Sequence, residues 1–195
     1  YTGQPNFDIH QSPIVTFQMQ KIGGTTPIII DGNSGPTGLT HYLKLYSTGD
    51  GTAFNPYILD PFFIDITNAG SNAVGLTIKN TDAYFILQDS IIAGGIGQYG
   101  IKLENVKNAR IESNEIIGLP STYVPGSTAS TSYPIEGGIY LDGNCANNTL
   151  INNILFRTSA YGVRIDGDYN TVYQNDLANA YGYGCVIKGD YNFIQ

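Results

Sequence analysis

Gly75-Leu-Thr-Ile78, Gly100-Ile-Lys-Leu103, Gly138-Ile-Tyr-Leu141, Gly162-Val-Arg-Ile165 and Gly184-Cys-Val-Ile187 are five copies of one phrase: glycine, apolar, any residue, apolar. Successive glycines stand 25, 38, 24 and 22 residues apart, so a unit takes about two dozen residues and one unit carries an insertion, Gly118 to Gly137. A second phrase keeps step with the first. Ile86-Leu-Gln-Asp89-Ser-Ile91, Ile111-Glu-Ser-Asn114-Glu-Ile116, Leu150-Ile-Asn-Asn153-Ile-Leu155 and Val172-Tyr-Gln-Asn175-Asp-Leu177 each place Asp or Asn three residues beyond an apolar anchor and two before another, so each unit holds at least two short strands with a polar corner between them. Apolar residues at alternate positions read as strands with one buried face. The intervening Gly and Asn read as turns that need left-handed backbone angles. No stretch has helical period.

A chain that repeats strand and turn at a fixed period can satisfy its backbone by stacking each unit on the one before, as a solenoid of parallel sheets. Rungs ~4.8 Å apart would line up Leu76, Ile101, Ile139, Val163 and Cys185 in one inward ladder. Ile78, Leu103, Leu141, Ile165 and Ile187 would form the next. The corner residues Asp89, Asn114, Asn153 and Asn175 would make a structural ladder of side chains in which the stacked amides donate to one rung and accept from another, which offsets the cost of burying them.

The glycine phrase, the corner asparagines and the lead-in Gly49-Asp-Gly-Thr52-Ala-Phe-Asn55-Pro-Tyr-Ile58 resemble the right-handed parallel β-helix proteins of the pectate-lyase-like group, above all their NosD-like and surface-protein branch. The resemblance runs over residues 49–195 and implies an all-β, right-handed parallel β-helix. It names no single chemistry: polysaccharide lyases and hydrolases, phage tailspikes and carbohydrate-binding surface proteins share the fold. Residues 1–60 do not carry the phrase. There Ile14 to Gln20, Pro27 to Ile30 and Tyr42 to Tyr46 read as strands between Gly, Pro and Asn turns, forming a non-repeat, β-rich N-terminal cap or attachment segment ahead of rungs over 61–195. Gly189 to Gln195 copies Gly167 to Tyr173 and stops before the next corner asparagine. An open edge of that kind predicts either a continuing chain or self-association or a capping partner at the C-terminal end.

Composition narrows the classes. The chain has 195 residues, 42% hydrophobic and 13% charged, with 24 glycines, enough for one buried core and many turns. A net charge of −7 with nine unclustered Lys and Arg argues against nucleic acid and against a polybasic membrane contact. No run reaches the length of a membrane span. The expected location is extracellular, on a cell surface or on a virus particle. Cys145 and Cys185 fall on separate rungs, too far apart to bridge, and are expected to be free. His10 and His41 lie outside the rungs and no zinc spacing occurs, so no metal and no cofactor are expected. Asp166-Gly-Asp168-Tyr-Asn170 alternates oxygen ligands like part of a calcium loop, but lacks the completing glutamate and reads better as a turn.

The outward side chains of the glycine strand are the candidates for function. They pair as Thr77 and Lys79, Lys102 and Glu104, Tyr140 and Asp142, Arg164 and Asp166, Val186 and Lys188. Glu104, Asp142 and Asp166 would stand in one column at roughly 5 Å and 10 Å, separations of the order glycosidases use. The same residues also make an ordinary surface charge ladder. Tyr140, Arg164, Tyr123 and Tyr133 are candidates for carbohydrate binding, since a tyrosine face stacks on apolar surfaces while its hydroxyl stays wet. Three functions follow: a non-catalytic surface or virion structural protein with polysaccharide as a candidate partner, a carbohydrate-binding module, or a polysaccharide hydrolase or lyase.

Overall fold

The computed structural model describes residues 22–44, 47, 49–95, 97–118 and 135–195. Among them run seventeen strands, numbered along the chain, and one 3₁₀ turn at Leu39–Tyr42. The strands form three parallel sheets. The first sheet holds β1 (Ile22–Gly24), β4 (Phe62–Asp65), β7 (Ile91–Gly94), β10 (Glu115–Gly118) and β13 (Ile154–Phe156). The second holds β2 (Ile28–Asp31), β5 (Val74–Thr81), β8 (Tyr99–Val106), β11 (Ile135–Leu141), β14 (Thr158–Ile165) and β16 (Tyr183–Ile187). The third holds β3 (Tyr57–Ile58), β6 (Phe85–Gln88), β9 (Ala109–Glu112), β12 (Thr149–Ile151), β15 (Thr171–Tyr173) and β17 (Phe193–Ile194). Each turn of the chain therefore visits all three sheets, and the protein is a parallel β-solenoid of five turns and the start of a sixth.

The glycine phrase is the strand of the second sheet. Its two inward ladders stack as the spacing predicts, with Leu76 on Ile101, Ile139 on Ile101 and Val163, and Val163 on Cys185. The next ladder, Ile78 to Ile187, does the same. Leu76, Ile101, Ile139 and Val163 are fully buried, each contributing roughly 1.5–3 kcal/mol of apolar burial. The glycine itself is required by close approach. A Cβ on Gly138 would lie 2.4 Å from the Gly162 carbonyl oxygen and 2.2 Å from Leu155 Cδ2, and one on Gly100 would lie 2.6 Å from the Gly138 carbonyl. In β5, β8, β11 and β14 two successive residues point inward, Gly then Leu, Ile or Val, and the first of the two has no room for a side chain.

Residues ahead of the phrase already make one turn. β1, β2 and β3 pair in parallel with β4, β5 and β6, placing Ile28 against Leu76 and Tyr57 against Phe85. Ile28–Asp31 is the strand expected there, without a glycine to mark it. The strand expected over Tyr42 to Tyr46 is not formed at its start: Tyr42 closes the 3₁₀ turn and Leu43 makes an isolated antiparallel bridge to Leu59. Lys44 donates its backbone N–H to the Ile58 carbonyl at 2.7 Å, whereas Leu45 and Tyr46, like the Ile14 to Gln20 strand, His10 and most of the insertion, lie outside the described residues.

The corner ladder needs one correction. Asn114, Asn153 and Asn175 are joined in series, but the member in the preceding rung is Ser90 and not Asp89. Phe85 and Leu87 are the buried residues of β6, so Ile86 faces outward and the phrase registers one residue later than its letters imply. Asp89 takes the left-handed turn position (φ 56°) together with Ser113, Asn152 and Gln174. A second ladder, Asn148, Asn170 and Asn192, runs through the corner before the third sheet. Beside it Tyr169 and Tyr191 stack at 4.9 Å with an interplanar angle of 7°.

Candidate functional site

The outward residues of the second sheet stand in two columns along the solenoid axis. One column contains Val74, Tyr99, Gly137, Tyr161 and Tyr183, and the other, three residues further along each strand, contains Thr77, Lys102, Tyr140, Arg164 and Val186. Two inward residues separate the columns on every strand, so both face solvent with a furrow between them. The furrow deepens into a cleft of about 310 Å³, with Asn72 and Val74 at one end, Tyr99 and Tyr161 in one wall, and Lys102, Tyr140 and Arg164 in the other. That volume is at the lower end of the roughly 300–1,000 Å³ of small-ligand sites.

Gly137 shapes this cleft. A Cβ there would lie 2.6 Å from the Tyr161 ring, so the missing side chain lets Tyr161 lean across the neighbouring strand. Burial pushes the Tyr161 phenol well above its ordinary value, keeping it a neutral donor. Tyr140 is the centre of the opposite wall. Its ring has Arg164 Cζ at 5.0 Å and Lys102 Nζ at 5.7 Å, both within cation–π reach. Its hydroxyl donates to Asp166 Oδ2 at 3.1 Å. Burial, then that carboxylate, raises the Tyr140 phenol.

Each of the three candidate carboxylates has its own partner. Glu104 pairs with Lys102 at 2.5 Å. Asp166 accepts from Arg164 through Nε at 3.0 Å and Nη2 at 2.6 Å, a bidentate bond that holds its carboxyl below the usual range. Asp142 Oδ1 accepts the backbone N–H groups of Asn105 and Asn144, both at 3.0 Å, and so caps the turn after β11. Of the carbohydrate-binding candidates, the structure brings Tyr140 and Arg164 together; Tyr123 and Tyr133 lie outside the described residues. Tyr161, one of the tyrosines that cluster in the sequence near the insertion and the later turns, and Lys102, one of the outward candidates, also line the cleft; Tyr99 joins it without having been singled out. A usable signal was present: tyrosine directly precedes the phrase glycine at 99, 161 and 183.

Among the described residues no three His, Cys, Asp or Glu side chains are grouped to hold a metal. The oxygens of the calcium-like stretch are used separately. Asp166 binds Arg164, Asp168 Oδ1 accepts from the Asp190 backbone N–H, and Asn170 is buried in the second ladder. Cys145 and Cys185 are free thiols. Cys145 is buried with its Sγ 3.3 Å from the Leu103 carbonyl oxygen, and burial pushes its thiol up to about 12. No helix among the described residues is long and apolar enough to cross a membrane.

A family model described as a right-handed beta helix region matches residues 60–194, more than half of the chain. No curated protein and no solved structure gives a significant match.

Proposed function

The chain belongs to the right-handed β-helix family, and on that premise we propose that it is a non-catalytic structural and interaction protein, displayed outside a cell or on a virus particle, that contacts carbohydrate through the cleft around Tyr140. The fold supplies a rigid rod and does not by itself name an activity. The observation that carries the reading is the cleft's lining: three tyrosines with two cations laid against the central ring. Aromatic faces with wet hydroxyls suit sugar rings, which present C–H faces and a rim of hydroxyls.

The use made of the carboxylates supports a non-catalytic role. Hydrolysis by paired acids needs one carboxyl held protonated as donor and a second free as base or nucleophile. Asp166 is held ionised by Arg164, Glu104 is paired with Lys102, and Asp142 is committed to a turn. Electrophoresis of the protein through gels containing soluble polysaccharides, with reducing ends assayed in parallel, tests the reading. Retardation that Tyr140→Ala abolishes, without release of reducing ends, is the expected result. Release of reducing ends that Asp142→Asn stops would establish a polysaccharide hydrolase or lyase instead.

A further inference from the structure

We propose that the cleft selects neutral oligosaccharides and discriminates against uronic-acid and sulfated sugars, because both of its cations are already neutralised by carboxylates of their own strands. This rests on the carbohydrate reading given above and names the class of sugar that the same site takes.

The argument is a charge balance at fixed geometry. Lys102 and Arg164 are the cations of the cleft. Lys102 is held by Glu104 two residues further along β8, and Arg164 is chelated by both oxygens of Asp166 two residues further along β14. Alternate residues of a strand share a face, so these pairs are built into the sheet and need no ligand to complete them. An arriving carboxylate or sulfate would have to displace an intramolecular partner that costs no association entropy. Around the pairs the remaining charges do not favour an anion. Asp142 lies near Tyr140, and Glu136, which accepts a hydrogen bond from Ser159, lies beside Tyr161; Lys188 opposes them near Asp166. Counting these groups with the two pairs leaves one net negative charge facing an incoming anion.

What remains for recognition is uncharged. The Tyr99 and Tyr161 side chains form a polar-edged aromatic wall, and Asn72 adds an amide at one end. The cleft spans the strands from β5 to β14, three rung spacings or about 14 Å, which fits a short chain of sugars better than a single ring. Cations tied to carboxylates and stacked on Tyr140 act here as a rigid wall, and their charge is not offered to the ligand.

Isothermal titration of the intact 195-residue chain at physiological salt decides the question, using neutral tetrasaccharides of glucose, mannose and galactose against tetragalacturonate. Binding of at least one neutral tetrasaccharide, with tetragalacturonate at least tenfold weaker, is expected. Asp166→Asn, which frees Arg164, should narrow that gap at least threefold, while Tyr161→Ala should weaken the neutral ligand. Tetragalacturonate binding as tightly as the neutral sugars would overturn the selectivity and leave the carbohydrate reading standing. No binding by any of the four would overturn both. A gap that Asp166→Asn does not move, or a neutral affinity that Tyr161→Ala does not change, would place selectivity outside this cleft and overturn the proposal.

Discussion

At Asn153 a single amide joins three rungs. Its Oδ1 accepts from both the backbone N–H and the Nδ2 of Asn114, each at 3.0 Å, while its own Nδ2 donates to Asn175 Oδ1 at 2.8 Å and to the Ile111 carbonyl at 2.8 Å. The side chain is fully buried, so a replacement that cannot donate or accept strands polar groups on both sides. Asn153→Leu is expected to cost about 3 kcal/mol, read as a lowered midpoint in urea at unchanged slope. Asp89→Asn should be nearly silent in the same measurement, since Asn keeps the left-handed turn (φ 56°) at this exposed position and Ser90 carries the ladder in that rung. Asp166 supplies a prediction in pH. Its folded carboxyl is held below its ordinary value by Arg164, so its contribution is fully present above the unfolded value of about 3.9 and is lost as pH falls through the folded one. The stability difference between wild type and Asp166→Asn, followed by urea melts from pH 7 to pH 2, should hold down to about pH 4 and then shrink.

The strands of the second sheet owe their shape to a glycine column, and the column is not uniform. Gly138 is closed in by a carbonyl and a leucine, whereas a Cβ on Gly184 would meet nothing nearer than Leu177 Cδ1 at 3.5 Å. Gly138→Ala should therefore cost about 3 kcal/mol through overpacking, and Gly184→Ala should stay within about 0.5 kcal/mol of wild type. Paired thermal melts of the two variants check this, and equal losses would refute the close-approach explanation. The same glycines made these strands legible in the sequence, because a backbone that must stay bare leaves a letter that recurs. Strands of the first sheet left a fainter mark, the apolar residue two beyond the corner asparagine, as at Ile116 and Leu155. They span 3 or 4 residues, as in β13 and β7, too short to show which sheet they join. β2 was readable as a strand, yet its place in the second sheet was not, since Ile28 reaches Leu76 across an interval with no repeated phrase.

Over the whole molecule, protection should follow the stacking. The amides of β8 and β11 have a strand on either side and a buried ladder beneath, whereas in β17 Phe193 is 56% exposed and Ile194 46% exposed. Hydrogen exchange on the 195-residue chain should show the backbone N–H groups of β8 and β11 at least a hundredfold slower than those of β17, because opening an inner rung breaks two interfaces and opening an outer one breaks one. Uniform exchange along the axis would refute that picture. By itself the sequence determined the fold class and the two inward ladders of the glycine strand, because these follow from a local period that stacking preserves. Tertiary structure alone decided how that period is divided among three sheets, that Ser90 and not Asp89 carries the corner ladder, and which charged residues are engaged by one another. It also decided that Tyr99, Tyr140 and Tyr161 face one cleft. Register across rungs and the pairing of side chains depend on distances between segments far apart in the chain, and no local pattern of letters encodes them.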